Sequence, residues 1–354
     1  MRALLLKGKT AALLLVFVLT LLLPGCAKED VKAVYIRGCE ALEAGDMDQA
    51  AEYFSTVIET GMFLPEAYRG LGLTYLSAGN LPDAAVAFEK SLYHVESQDD
   101  AFQRDVNLYL AYCRERQGQT EKAMNIYNEI IMKSPDAETL FLRGRLSLRA
   151  EDEHAAALDF DQAVTLEPGY DLFINIYELY ADVDKSGDGS RYLEEALTEV
   201  SRNTEDYYSR GLVNYYLQNY DEAREMLIES MRRSPDDGKS VFLLGKIYLE
   251  TGDLANARAV YTGSVDNEKT AAAAHNGLAL CDIEEEDYES ALQHIEAGLA
   301  AEDPASVQGL LYNEIVVYEH LHDWTQATRK AAEYVTKYPA DEAGLREYEF
   351  LSSK

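Results

Sequence analysis

A small residue recurs along this chain at nearly constant intervals, and each interval is long enough to hold two short helices. The recurring residue is Ala50, Ala84, Ala123, Ala156, Gly189, Ala223, Ala257, Ala291 and Ala327. The intervals are 34, 39, 33, 33, 34, 34, 34 and 36 residues. Such a period predicts a stack of repeats, each of which buries its apolar face against its neighbours.

Two further positions keep the same register within the repeats. Twelve residues before the recurring residue, seven of the nine units carry glycine or alanine, whereas Tyr177 and Ile315 stand there in the fifth and ninth. Four residues after it, a bulky side chain stands in most units. These bulky residues are Phe54, Phe88, Tyr127, Phe160, Leu193, Leu227, Tyr261 and Ile295. Small residues let two helices approach closely, so we expect the bulky residue to fill the gap between its own helix pair and the next helix.

Residues typical of turns lie within the units at the places where one helix would end and the next would begin. The turns read Ala-Gly-Asp at 44–46, Ala-Gly-Asn at 78–80 and Thr-Gly-Asp at 251–253. Glycine ends one helix, and the following Asp or Asn caps the next. Proline closes several second helices, at Pro135, Pro168, Pro235 and Pro339.

This order of small, small, bulky and proline residues resembles the signature of the tetratricopeptide repeat (TPR) family. The resemblance implies an all-α, right-handed solenoid of about nine helix-turn-helix repeats over residues 31–341, with roughly nineteen helices and no sheet. Residues 342–354 are predicted to form a C-terminal capping helix and tail that cover the last repeat. The two long intervals predict inserted loops, of five residues around 97–103 and of two around 305–307.

The first 25 residues differ from the repeats in composition. Arg2, Lys7 and Lys9 precede an apolar run at 11–23, which is too short for a comfortable membrane span. The run ends in Leu-Pro-Gly-Cys at 23–26. This end resembles the lipobox of bacterial lipoproteins, although Pro24 departs from the usual small residue.

The lipobox resemblance implies a cleaved signal peptide over 1–25, a lipidated Cys26 and a short tether over 26–30. We therefore expect an extracytoplasmic protein, lipid-anchored to a bacterial membrane at the cell surface, or at the outer membrane if the source has one. A plain secretory signal with a chance cysteine, or an uncleaved membrane anchor, would explain the same residues.

The charge balance is strongly acidic, with 63 Asp and Glu against 32 Lys and Arg and a formal net charge of −31. Nucleic acid is a poor partner for such a surface, because phosphate binding needs basic side chains. We interpret the acidity as a source of solubility rather than as a dedicated site for basic ligands. The three remaining cysteines, Cys39, Cys113 and Cys281, fall on separate first helices and are expected to be buried and reduced.

Sequence signals for chemistry are weak. The segment 182–190 spaces its acids like a calcium loop, but Leu193 stands where an EF-hand needs glutamate, so we interpret it as a turn between helices. His320 and His322 lie two residues apart and would point to different faces of a helix. No nucleophile elbow, Walker loop or dinucleotide fingerprint occurs. We expect no enzyme activity, no cofactor and no metal.

The concave inner face of the predicted solenoid is the remaining candidate for a binding site. We number each repeat so that the recurring small residue is position 20. In the TPR family, positions 2, 5, 9 and 12, all on the first helix, line a concave groove that often binds peptides. The residues that this resemblance assigns to protein or peptide binding are Tyr35, Arg69, Phe141, Tyr208, Phe242 and Tyr312 at position 5, with Arg145 and Lys246 at position 9. The competing interpretation is that several of these aromatics only pack between adjacent helices. The Lys/Asn/Arg pattern with which some TPR proteins clamp an acidic peptide is absent.

These observations favour a non-catalytic scaffold or adaptor that holds a protein or peptide partner at the bacterial cell envelope. The alternative is capture of an extracellular peptide or glycan for a transporter or an envelope machine. Neither the partner nor the oligomeric state follows from the sequence.

Overall fold

The computed structural model describes residues 26–95, 100–199, 206–301 and 303–353. Within these ranges the chain forms nineteen α-helices and no β-strand. The all-α fold predicted from the repeat pattern is therefore confirmed. The predicted signal peptide over 1–25 lies outside the described residues.

The helices follow one another with short connections. Their bounds are α1 Cys26–Glu43, α2 Met47–Glu59, α3 Leu64–Ser77, α4 Leu81–His94, α5 Asp100–Arg116, α6 Thr120–Lys133, α7 Ala137–Arg149, α8 Glu153–Leu166, α9 Tyr170–Asp182, α10 Ser186–Glu199, α11 Tyr207–Tyr216, α12 Tyr220–Arg233, α13 Gly238–Glu250, α14 Leu254–Thr262, α15 Ala271–Glu284, α16 Tyr288–Ala300, α17 Pro304–His320, α18 Trp324–Lys337 and α19 Glu342–Ser352. In chain order the first eighteen helices make nine pairs, one for each predicted repeat, and α19 follows them.

The described residues fall into two compact units. The N-terminal unit holds the residues up to 168 together with 179–184, and the C-terminal unit holds 169–178 and the residues from 185 onward. Within each unit a first helix packs on its second helix, and that second helix packs on the first helix of the next repeat. The core therefore runs along each unit as a series of linked clusters rather than as one central mass.

Bulky residues fill the space between successive first helices, as the sequence predicts. Phe54 of the first repeat is completely buried. A Cβ atom on Gly38, in the same repeat, would lie 2.9 Å from its ring, and a Cβ on Gly70, in the next repeat, would lie 2.5 Å from it. Only glycine leaves room for the ring on both sides, so this packing explains the small residues of the pattern.

The turns also follow the sequence prediction. Gly45 adopts the left-handed conformation, with φ of 79°, and ends the first helix of its repeat. Asp46 then caps α2 by accepting a hydrogen bond from the backbone N–H of Gln49 at 3.1 Å. The turns at 78–80 and 251–253 repeat this arrangement.

The two predicted loop insertions are wrong in the residues that the structure describes. Residues 100–103 and 305–307 are helical, and they lengthen α5 and α17 to 17 residues each. At α17 the cause is a strong helix start, since Asp303 accepts a hydrogen bond from the N–H of Ala305 and Pro304 occupies the first turn. The extra residues therefore add about one helical turn.

The two ends of the described chain are helical. Helix α1 begins at Cys26, so residues 27–30, expected as an extended tether, have helical backbone and span about 6 Å rather than the length of a stretched chain. At the other end α19 caps the last repeat, because Leu351 packs into the cluster of Ala331 and Tyr334. No described helix is both long and apolar enough to cross a membrane.

Cys39, Cys113 and Cys281 are free thiols. Cys113 and Cys281 are buried, as predicted, whereas Cys39 is only half-buried. Burial raises the pKa of Cys113 and of Cys281 to about 11, so both are held as thiols.

Candidate functional site

Tyr35 and Arg69, two residues predicted to line the groove, contact neighbours within the N-terminal unit. The ring of Tyr35 meets Phe54 edge-on, with 5.7 Å between the centroids, and burial followed by the nearby Cys39 raises the pKa of its hydroxyl. Arg69 Nε donates to Oδ2 of Asp105, in the next repeat, at 2.5 Å. Both side chains therefore stabilise contacts inside the unit, and their role in binding stays a prediction.

Phe141 and Arg145, on α7, are also engaged by the chain itself. Phe141 is buried beside Phe160, with 6.0 Å between the ring centroids. Arg145 Nη2 donates to Oε2 of Glu115 at 2.8 Å, and the Glu115 side chain is only 8% exposed. The guanidinium charge is thus compensated by a carboxylate of the preceding repeat, which also binds Arg149 at 3.1 Å.

Phe242 and Tyr312, in the C-terminal unit, pack against second helices. Phe242 is half-buried, its ring lies 6.4 Å from that of Tyr261, and its carbonyl accepts the Tyr261 hydroxyl at 3.0 Å. Tyr312 meets Tyr334 edge-on at 5.7 Å, and burial raises the pKa of its hydroxyl. Both residues therefore fit the competing interpretation of the sequence, in which these aromatic side chains pack between adjacent helices.

A cluster of tyrosines on first helices is the most distinctive surface of the C-terminal unit. It consists of Tyr177 on α9 and of Tyr208, Tyr215 and Tyr216 on α11, all half-buried. The rings of Tyr177 and Tyr216 are 4.9 Å apart, and those of Tyr215 and Tyr216 are 5.6 Å apart. We call these four residues the tyrosine cluster.

Carboxylates fix the orientation of two rings in the tyrosine cluster. The Tyr215 hydroxyl donates to Oε1 of Glu250 at 2.7 Å, and the Tyr216 hydroxyl donates to Oε1 of Glu178 at 2.8 Å. Burial, with the adjacent carboxylate, raises the pKa of both hydroxyls, so they remain protonated donors. Because the hydroxyls are bound, the partly exposed ring surfaces are held in place before any partner arrives.

Two lysines lie over rings of the cluster, and one of them is paired with a carboxylate. Lys246 Nζ is 5.2 Å from the centroid of Tyr215 and 3.7 Å from Glu250. Lys239 Nζ is 5.8 Å from the centroid of Tyr208. Of the two predicted groove residues here, Tyr208 belongs to the cluster and Lys246 borders it.

Three members of the cluster were missed by the sequence analysis. Tyr177, Tyr215 and Tyr216 occupy positions 8, 12 and 13 of their repeats, whereas only positions 5 and 9 were scored for groove residues. A signal was present, because the Tyr-Tyr pair at 207–208 recurs eight residues later at 215–216. A spacing of seven or eight residues keeps side chains on one helix face.

The segments considered for metal binding have other roles in the structure. Helix α9 ends at Asp182 and α10 begins at Ser186, so the segment 182–190 contains the turn between them, as interpreted from the sequence. His320 stacks on Tyr288 at 5.3 Å, and His322 lies beside Trp324. Across the described ranges, no group of three or more His, Cys, Asp or Glu side chains is arranged to hold a metal ion.

Family models for the tetratricopeptide repeat match three stretches of the chain. One model matches residues 35–103 and 208–275, and a second matches 105–137. The chain therefore contains tetratricopeptide repeats, and its paired helices have the arrangement that the repeat pattern predicts. TPR proteins mediate protein–protein interaction, so the matches indicate a binding role.

One curated relative is the mitochondrial import receptor subunit TOM70 of Saccharomyces cerevisiae. It is 31% identical over 110 residues, which cover 29% of this chain and 18% of the yeast protein. This chain thus matches less than a fifth of that relative's length.

Two solved structures are among those that align with this chain. A tetratricopeptide repeat protein from Parabacteroides merdae aligns with a TM-score of 0.45 and 17% identity, over 80% of this chain and 98% of that one. Yeast Tom70 aligns with a TM-score of 0.47 and 16% identity, over 87% of this chain and 85% of that one.

Proposed function

We propose that this chain is a non-catalytic scaffold that holds a protein or peptide partner against the first helices of its C-terminal unit. The observation that carries the proposal is the tyrosine cluster, in which partly exposed rings from two first helices contact one another and the two rings Tyr215 and Tyr216 on α11 are held by hydrogen bonds to Glu250 and Glu178. Tyrosine is enriched at the centres of protein interfaces, because it offers a large contact area with few rotatable bonds. The repeat family supports the same role.

The partner bound there contributes mainly apolar and aromatic side chains. The basic side chains predicted to line the groove are compensated within the chain, Arg69 by Asp105, Arg145 by Glu115 and Lys246 by Glu250. An acidic partner would have to displace these carboxylates, whereas an apolar one can pack on the rings directly. Binding therefore depends on ring area more than on net charge.

We also propose that the scaffold is attached to a bacterial membrane through lipid on Cys26. The support is the basic start, the apolar run at 11–23 and the Leu-Pro-Gly-Cys end of the first 26 residues. Two acyl chains give stable anchoring where one gives marginal binding. The partner is then held at the extracytoplasmic face of that membrane.

Photo-cross-linking in intact cells tests the binding surface. A photoreactive phenylalanine analogue replaces Tyr177, whose ring lies at the edge of the cluster, and in a matched variant it replaces Glu225, which is exposed on the second helix α12. The proposal expects a discrete adduct at position 177 alone, which mass spectrometry then identifies. An adduct at 225 with none at 177 places the interface on the opposite helices and rejects the proposal.

Labelling with an alkyne fatty acid tests the anchor separately. The unmodified chain should incorporate the label and sediment with membranes, and Cys26→Ser should lose both properties. Cys39→Ser is the matched control, because Cys39 is a free thiol on the same helix, and it should behave like the unmodified chain. Equal labelling of the Cys26→Ser variant would exclude the lipidated cysteine.

A further inference from the structure

Two histidines face each other across the helix pair of the eighth repeat. His275 on α15 and His294 on α16 approach through their Nδ1 atoms, which are 3.0 Å apart. The ring centroids are 5.2 Å apart, and the ring planes are tilted by 34°. At this separation one nitrogen must donate and the other must accept, so a single hydrogen lies between the two rings.

A buried carboxylate continues this contact. Oδ2 of Asp282 is 3.7 Å from Nε2 of His294, and it has no hydrogen-bond partner although the side chain is only 4% exposed. The carboxylate favours a proton on Nε2 of His294, which leaves Nδ1 of that ring to accept from His275. The three side chains form a chain from the buried Asp282 to the half-buried His275.

The charged groups around the histidine pair carry one net negative charge, which can compensate one added proton. From α14, Arg258 Nη2 donates to Oδ1 of Asp282 at 2.8 Å and to Glu285 at 2.5 Å, so one cation faces two carboxylates of α15. Helix α17 adds a neutral polar contact, since Asn313 Nδ2 donates to Oδ1 of Asn276 at 2.7 Å. Helix α13 places Gly238 beside Ala273, and α17 places Leu310 beside Gly298, close to the Cβ of His275.

We propose that His275 and His294 form a pH-sensitive joint that holds α15 to α16 and opens when the pair binds its second proton. One added proton leaves the contact intact, because one Nδ1 atom can still donate and the other can accept. A second proton leaves N–H groups on both Nδ1 atoms and two positive charges facing each other about 3 Å apart. The rings then separate, and the helix pair loses a contact that joins its two members.

The direction of the pH dependence follows from the surroundings of His275. Burial, and then the neighbouring His294, lower the pKa of His275 below its ordinary value. An imidazole with a lowered pKa binds fewer protons in the folded chain than in the unfolded chain. The contribution of the joint to stability is therefore complete above the ordinary histidine pKa of about 6.5 and falls as the pH drops below it.

Hydrogen exchange of the full-length chain at about pH 7.5 and about pH 5.5 tests the joint, because these values bracket the ordinary histidine pKa. After correction for the intrinsic exchange rate, residues 271–300 should lose protection severalfold, and at most about tenfold, at the lower pH, and residues 238–262 should not. In His275→Asn the amide can still donate to His294 but cannot titrate, so this selective loss should disappear. His154→Asn, an exposed histidine of the N-terminal unit, should leave it unchanged.

Two outcomes would contradict the proposed pH-sensitive joint. One is equal acid sensitivity of 271–300 and 238–262 in the unmodified chain, and the other is an unchanged selective loss in a folded His275→Asn variant. A second measurement does not depend on any variant. Histidine NMR titration of the unmodified chain should place the pKa of His275 below the ordinary histidine value, whereas an ordinary value for His275 would contradict the proposal.

Discussion

A Cβ atom added to Gly277 would lie 2.1 Å from Cε1 of Tyr261, the bulky residue of the preceding repeat. Tyr261 is fully buried, and its hydroxyl donates to the carbonyl of Phe242 at 3.0 Å, so the ring has no space into which it could move. Gly245, in the same repeat as Tyr261, approaches the other side of the ring, where a Cβ would be 2.2 Å from Cζ. One side chain thus sets the distance between two successive first helices.

Replacing Gly277 by alanine should destabilise the chain. The added methyl group cannot be accommodated without shifting Tyr261, and overpacking of this kind costs about 1–3 kcal/mol. Gly187→Ala is the matched control, because Gly187 lies in α10 with nothing within 4 Å of its Cβ position. That change should stabilise the helix by up to about 1 kcal/mol. Urea unfolding of both variants measures the difference, and equal stabilities would show that the ring can shift.

Glu115→Gln should be more damaging than an equivalent change on the surface. Arg145 and Glu115 are 14% and 8% exposed, and removing the carboxylate leaves a nearly buried guanidinium without its counter-charge. Loss of one partner of such a pair costs about 3 kcal/mol. Glu333→Gln, which breaks an exposed pair with Arg329, should cost about 0.5 kcal/mol or less. Similar urea midpoints for the two variants would assign Arg145 to partner binding rather than to structure.

Truncating the tyrosine cluster should weaken partner capture without unfolding the chain. Tyr216→Ala removes a ring that contacts both Tyr177 and Tyr215 and should lower affinity for the cross-linked partner by about tenfold or more. Tyr216→Phe keeps the ring, so most of the affinity should remain. Tyr93→Ala, which removes a tyrosine that is 83% exposed on α4, should have no effect. Quantitative co-purification of the partner compares the three variants. A loss of affinity in Tyr93→Ala as large as that in Tyr216→Ala would show that the tyrosine cluster is not the binding surface.

Buried thiols should resist alkylation until the chain unfolds. Since burial raises the pKa of Cys113 and of Cys281 to about 11, the reactive thiolate is scarce at neutral pH, and its fraction rises only as the pH approaches that value. Burial raises the pKa of Cys39 as well, but this thiol is only half-buried, so iodoacetamide should reach and modify it before either of the buried thiols. Mass spectrometry of samples labelled with and without urea reports the order. Rapid labelling of Cys113 in the folded chain would contradict its position in the core.

The fold could be predicted from the sequence because its packing rule depends on residue size at fixed spacing. Gly38 and Phe54 show the rule directly, since the ring occupies the volume that the glycine leaves. The inserted residues were assigned to loops because the repeat length was treated as fixed. The Asp303-Pro304 pair, an ordinary start signal for a helix, indicated otherwise.

The binding surface was harder to predict, because the repeat pattern predicts where a side chain lies but not which other charged side chain it pairs with. Arg145 stands at a groove position, yet its carboxylate partner lies 30 residues earlier in the chain. Lys246 is likewise compensated by Glu250, on its own helix. Which charges compensate one another depends on how adjacent repeats rotate, and residue types alone do not specify that rotation. Three tyrosines of the cluster were missed for a simpler reason, since Tyr177, Tyr215 and Tyr216 lie at repeat positions other than the two that were scored.

The ion pairs that join neighbouring repeats have a consequence for how such a chain can evolve. Arg69 reaches forward to Asp105, whereas Arg145 reaches back to Glu115, and each pair uses different positions of the repeat. Arg258 and Asp282 use a third combination. A duplicated or transposed repeat would meet a neighbour that lacks the matching charge. The repeats share one packing rule but differ in the positions of the charges that pair with their neighbours. The ion pairs therefore form only if the repeats keep their order along the chain.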